Sequence, residues 1–321
     1  MTDHVSREGA ARGLWLGVLA MAMFGLTLPM TQLAVGSAGA PALSPLFVTA
    51  GRAVVAAGLS AAVLLLTRSP WPQRAHWPAL AIAALGNAIG YPLLLAWALR
   101  YVGSAHAAVI TALAPLLTAV AAALVMRQRA RPAFWWCAVG GCALVVVYSL
   151  LRAQAKGQGF APSPVDGVLF VAVLAASVGY VYGARVTPAL GAERVICWVT
   201  LVALPVTVPC ALLNWPSAPV PASAWFGFAY VSLFSMWIGF FAWYRALVIG
   251  GALRVSQVQL LQPFFAIGFA WPLLGEPIEP LGLGFAIAVV AMVWLGRRFS
   301  AAPPGPPAPA ASPASRSAST P

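Results

Sequence analysis

The chain has 321 residues, of which 61% are hydrophobic and 7% charged, and its mean hydropathy is +0.88. This composition excludes an ordinary soluble domain and defines a polytopic helical membrane protein, because apolar runs of about twenty residues recur and each can cross ~30 Å of hydrocarbon. The net charge of +12 falls on single arginines or short clusters at the ends of apolar runs. No basic stripe is interleaved with aromatics, so a nucleic-acid partner is not expected.

Residues 1–12 read as an N-terminal tail carrying Arg7 and Arg12, followed by an apolar stretch over 13–35. That stretch is longer than the about 7–15 residues of a signal-peptide core, despite the small residues "SAGAPA" at 37–42, and reads as a retained first span. Further spans are expected over 44–66, 78–100, 104–126 and 133–151. After the linker 152–164 (RAQAKGQGFAPSP), spans follow over 165–187, 194–213, 223–245, 254–273 and 280–296. Residues 298–321 form a Pro/Ala/Ser-rich stretch expected to be a disordered cytoplasmic tail. The expected fold class is therefore an all-α membrane protein of ten transmembrane helices.

With a cytoplasmic N-terminus, fourteen Lys and Arg fall on the inner side and three (Arg100, Arg152 and Lys156) on the outer side. This asymmetry places both termini in the cytoplasm. The chain also resembles itself. At an offset of 148, "GSAHAAVITALAPLLTAV" (103–120) meets "GALRVSQVQLLQPFFAIG" (251–268), matching Gly103 with Gly251 and Pro115 with Pro263. Earlier, "GLWLGVLAMAMFG" (13–25) matches "GVLFVAVLAASVG" (167–179) at an offset of 154. Five spans is an odd number, so the copies over 13–151 and 165–297 are expected to be inverted five-helix repeats, with a substrate site between them near mid-membrane.

Polar residues inside spans are the candidates for a site. Arg52 lies about eight residues into the second span, some 10–12 Å along the helix axis. It could pair with a substrate carboxylate, snorkel to the interface, or bond carbonyls of neighbouring helices. Asn87 and Tyr91 share a helix face beside Pro92, which fits cavity lining and interhelical bonding equally. "GYVYG" at 179–183 holds a small-xxx-small pair suited to close packing, with Tyr180 as a candidate cavity aromatic and Tyr182 fitting the cavity or the interface equally. Thr27 and Thr111 complete the set in the first half. Trp237 reads as packing, and His106 as a solvated residue at the start of its span.

The stretch "VSQVQLLQPFF" (255–265) places three glutamines and a proline where a membrane helix is expected, and unpaired amides there cost several kcal/mol. Gln259, Gln262 and Pro263 fall on one arc and are expected to face a cavity, whereas Gln257 is expected to be wet at the cytoplasmic edge. Pro115 and Pro263 are the helix-break or gating candidates.

All six acids fall at tails or span ends, which disfavours a proton-exchanging pump for lipophilic cations, and no phosphate-binding loop is present. The four cysteines lie in apolar runs without metal-like spacing, so no metal and no cofactor is expected. An intramembrane hydrolase would need a deep serine with a histidine in reach; "GSAH" (103–106) sits at the membrane edge with no acid nearby in sequence, and an enzyme is not expected.

The segments "LAWALRYVGSAHAAVITALAPLLTAVAAALVM" (95–126) and "AWYRALVIGGALRVSQVQLLQPFFAIGFAWPLLGEPIEPLGLGFAIAVVAMV" (242–293) resemble the paired signatures of EamA-type members of the drug/metabolite transporter superfamily. The resemblance covers residues 13–297. It implies a secondary transporter of the bacterial inner membrane that moves a small organic metabolite, an amino acid or related compound, by alternating access, with efflux favoured. The alternative is a non-transporting scaffold or sensor on the same fold. Expected partners are the substrate and the lipid bilayer, with a homodimer open. The resemblance also implies a shared structural role for Arg52. Where the family often carries Glu after the fourth helix, this chain has Gln128, leaving Glu276 as the second copy's acid.

Overall fold

In a computed structural model that describes residues 2–128, 130–155, 163–265, 268–269 and 280–299, the chain is built from helices. Eight helices among the described residues are long and apolar enough to cross a membrane. They are α1 (Ala11–Val35), α2 (Pro45–Leu66), α3 (Arg74–Ala98), α4 (His106–Val125), α5 (Pro132–Ala155), α6 (Pro164–Leu190), α7 (Ala192–Leu213) and α8 (Ala222–Ile249). Two more helical segments follow: α9 (Ala252–Ser256, continuing as a tighter 3₁₀ turn over Gln257–Leu261) and α10 (Pro280–Phe299).

The helix termini differ from the expected bounds at three places. The first helix extends back to Thr2, so the expected N-terminal tail is helical where no proline interrupts it. The 152–164 linker begins with helix, which persists to Ala155, and α6 starts at Pro164, leaving 156–162 outside the described residues. The last helix ends at Phe299, two residues into the stretch expected as tail, and residues 300–321 lie outside the described residues. So do Glu276 and Glu279.

Local sequence explains the helix starts and interruptions. At α2, Ser44 accepts the Phe47 N–H at 3.0 Å and Pro45 occupies the first helical position, where a missing N–H costs nothing. At α6, the Asp166 carboxylate accepts the Ser163 N–H at 2.9 Å. Pro29 cannot donate to the Gly25 carbonyl, and α1 is interrupted at Leu26. Pro115 and Pro263 act likewise: α4 is interrupted at Ala112–Leu113, and α9 tightens into its 3₁₀ turn just before Pro263. Pro92 removes the donor for Ala88, and the turn before it opens into a π-helix over Ala84–Gly90. A second π segment spans Val231–Ile238 in α8, where no proline intervenes. There the Ser232 hydroxyl donates back to the Phe228 carbonyl at 2.6 Å, competing with the regular ladder.

Helices of the first half pack on helices of the second. The dominant contacts pair α1 with α8, α2 with α7, α3 with α6, α5 with α10, and α4 with both α6 and α9. Large side chains fill the seams. Trp243, Tyr244, Phe47 and Met21 are fully buried. Phe47 stacks on Phe228 at 5.5 Å and meets Trp215 and Trp225 edge-on. Gln128 belongs to this assembly: its Oε1 accepts the Leu253 N–H at 3.1 Å, satisfying a free donor in the first turn of α9. Gln128→Ala is expected to lower stability by about 1 kcal/mol and Gln128→Glu to raise it by a similar or smaller amount through the helix dipole. Thermal unfolding of the purified protein in detergent reads both shifts.

Candidate functional site

The interrupted segments of α1, α3, α4, α8 and α9 converge with α2 and α6 around one small cavity of about 30 Å³. It is lined by all eight side chains singled out as cavity candidates: Thr27, Arg52, Asn87, Tyr91, Thr111, Tyr180, Gln259 and Gln262. Pro115 and Pro263 do not line it but adjoin the lining residues Ala114 and Gln262. Apolar walls come from Phe24, Pro92, Val173, Ala176 and Phe240. The rings of Phe24 and Tyr180 stand 5.4 and 5.8 Å from that of Phe240.

Arg52 carries the cavity's formal charge. It is 3% exposed, which rules out snorkelling, and its Nη2 donates to the Ser235 hydroxyl at 3.0 Å rather than to a helix carbonyl. Its Nε is buried without a hydrogen-bond partner, and no carboxylate pairs with it among the described residues. A buried cation left in that state is costly by several kcal/mol, and an incoming anion offsets that cost. Ser235 also shares a 2.9 Å hydrogen bond with Thr27 Oγ1, so one hydroxyl ties α1, α2 and α8 together. Ser235 was not among the sequence candidates. It stands at offset 148 from Asn87, and both lie in π segments, so the internal repeat held its signal.

Asn87 does both things its position allowed. It lines the cavity, and its Nδ2 donates to Tyr244 Oη on α8 at 2.9 Å. The glycines of "GYVYG" make the room. A β-carbon on Gly179 would strike the Asn87 amide at 2.6–2.9 Å, and one on Gly183 would run into the Tyr244 ring. The pair therefore clears space for a polar contact while Tyr180, between them, faces the cavity. Tyr244 had no sequence signal, because its counterpart at offset 148 is Ala96.

The three glutamines separate, though not as expected. Gln259 and Gln262 line the cavity, but Gln257 is 2% exposed, not wet, and its Nε2 reaches only Ser256 Oγ at 3.4 Å. It does not line the cavity, as its place on the helical wheel predicts, but it points into protein rather than water. His106 is also not freely solvated: its Nε2 lies 2.6 Å from Asp166 Oδ1, joining the first turns of α4 and α6. Trp237 does more than pack, donating to Ser60 Oγ at 2.9 Å beside Thr200. Among the described residues, no group of three or more His, Cys, Asp or Glu could hold a metal ion.

A multi-pass helical membrane protein with a polar and aromatic cavity at its centre is the class these features define. The chain belongs to the EamA-like transporter family, whose model matches it twice, over residues 11–150 and 164–296. It is 38% identical over 292 residues to the uncharacterized transporter YdeK of Bacillus subtilis, covering 89% of this chain and 97% of that one. It is 27% identical over 309 residues to a probable terminal-alkyne amino-acid exporter of Streptantibioticus cattleyicolor, covering 92% and 98%. It is also 33% identical over 224 residues to the aromatic amino acid exporter YddG of Ancylobacter novellus, covering 68% and 73%. A solved crystal structure overlays 92% of this chain and 98% of its own with a TM-score of 0.68 at 21% identity, a likeness of fold alone. The protein is a membrane transporter of this family.

Proposed function

We propose that the protein exports a small carboxylate-bearing metabolite, an amino acid or a close relative, across the bacterial inner membrane by alternating access. The observation that carries this reading is Arg52, a buried guanidinium without an acidic partner among the described residues, facing a central cavity. A fixed positive charge in a low-dielectric site selects an anionic group, and the aromatic walls suit an apolar side chain. Two relatives are named as amino-acid exporters, which supports the same substrate class.

Alternating access follows from two inverted five-helix repeats, 13–151 and 165–297. Supporting it are the twofold match of the family model, the pairing of first-half with second-half helices, and π segments recurring at an offset of 147–148. Asn87 with Ser235 and Thr111 with Gln259 line one cavity from equivalent positions. The arginine asymmetry supports cytoplasmic termini at both ends. The test is counterflow in proteoliposomes: labelled phenylalanine should accumulate against a preloaded unlabelled pool. Failure across amino acids and organic acids alike would return the protein to a scaffold or sensor role.

A further inference from the structure

We infer that Gln259 and Gln262 receive the ammonium of an α-amino acid whose carboxylate rests on Arg52, so that the cavity reads a zwitterion at two poles. This rests on the amino-acid substrate proposed above and assigns the part of it that Arg52 does not recognise.

The amide orientations are fixed by their partners. Gln262 Nε2 donates to the Phe24 carbonyl at 3.0 Å, beside the interruption of α1, and Gln259 Nε2 donates to the Ser256 carbonyl at 3.2 Å. A carbonyl oxygen can only accept, so turning either amide over would set two acceptors against each other. Each side chain is thus left with its Oε1, and neither oxygen has a hydrogen bond among the described residues. Neither is among the buried polar atoms lacking a partner, as Arg52 Nε is. Both residues line the cavity, so residues 259–262 present two acceptors to the space that α2 supplies with a donor.

An ammonium carries three N–H donors and no acceptor, which suits two amide oxygens and repels the guanidinium pole. A carboxylate has the opposite preference. The ring cluster of Phe24, Tyr180 and Phe240 adjoins both poles as an apolar wall. Substrates are therefore sorted by whether they hold both charged groups, and the two glutamines are specificity-determining residues.

Calorimetric titration of the purified protein in detergent tests this with phenylalanine, phenylpropanoate (the same acid without its amine) and phenethylamine (the amine without its acid). The wild type is expected to bind phenylalanine at least about tenfold more tightly than either analogue, since a hydrogen bond to a charged group is worth that much. Gln259→Met and Gln262→Met, made singly, should each reduce phenylalanine binding several-fold toward the phenylpropanoate level. Phenylpropanoate should still bind both variants, at least as tightly as phenylalanine does, showing an intact cavity; should one variant fail to fold, the other carries the test. A folded variant that keeps the full preference for phenylalanine overturns the inference. A wild type that binds phenylalanine and phenylpropanoate equally well also overturns it, yet leaves carboxylate export standing. A wild type that binds no amino acid and no organic acid removes the proposed function with it.

Discussion

Arg52→Gln is expected to abolish saturable amino-acid exchange in proteoliposomes, a loss of roughly a hundredfold or more, while folded yield stays at the wild-type level. The expectation follows from what the guanidinium lacks. A structural arginine would spend its donors on carbonyls or a carboxylate, and removing it would strand those acceptors at several kcal/mol. Here the contact that would be lost is one hydrogen bond to Ser235, worth about 1.5–3 kcal/mol at most, against the relief of a desolvated, unpaired charge. Thermal stability should therefore hold or rise slightly. Arg52→Lys keeps the charge but loses the planar fork, and should retain weak exchange with a raised KM. A collapse of folded yield in Arg52→Gln would make the arginine structural and return the search for a substrate anchor to the other cavity residues.

Gly183→Ala has the second large effect. Its added methyl meets the Tyr244 ring, which is fully buried and has nowhere to retreat, so the variant should lose about 2–3 kcal/mol of stability. The same shift pulls Tyr244 Oη away from Asn87, so transport should fall more than stability alone explains. Gly58→Ala is the matched control: nothing lies within 4 Å of its added carbon, and it should be neutral or mildly stabilising. Combining Gly183→Ala with Tyr244→Leu should cost less than the sum of the two single changes, because the smaller side chain vacates the contested space. Strict additivity would mean that the two residues do not meet.

Much of the cavity could be read from sequence because a membrane core makes polar side chains conspicuous. Arg52, Asn87, Gln259 and Gln262 each stood out against hydrocarbon, and helical periodicity aligned them. Ser235 escaped because a serine is inexpensive inside a helix, where it can bond its own backbone; only the repeat offset to Asn87 marked it. Tyr244 escaped because its meaning lies in a contact with Gly183, sixty-one residues earlier, which no local pattern encodes. Gln257 was misplaced because nearness to a span end does not reveal that neighbouring helices cover it. The pairing of His106 with Asp166 was hidden for a similar reason: sixty residues separate two side chains that meet only when α4 and α6 begin side by side.

The π segments of α3 and α8 have a consequence for register. Each accommodates one residue more than an α-helix of equal length, and that surplus turns everything beyond it by about 100° relative to an uninterrupted helix. Deleting one residue from Ala84–Gly90 would let the segment relax to ordinary α geometry with its ends in place. The stretch Tyr91–Ala98 would then keep its present face, whereas rewinding all of Ala84–Gly90 as α-helix without the deletion would rotate it about a quarter-turn and swing Tyr91 off the cavity. Two inserted residues, one in each half of the chain, thus decide which faces of α3 and α8 a solute would meet.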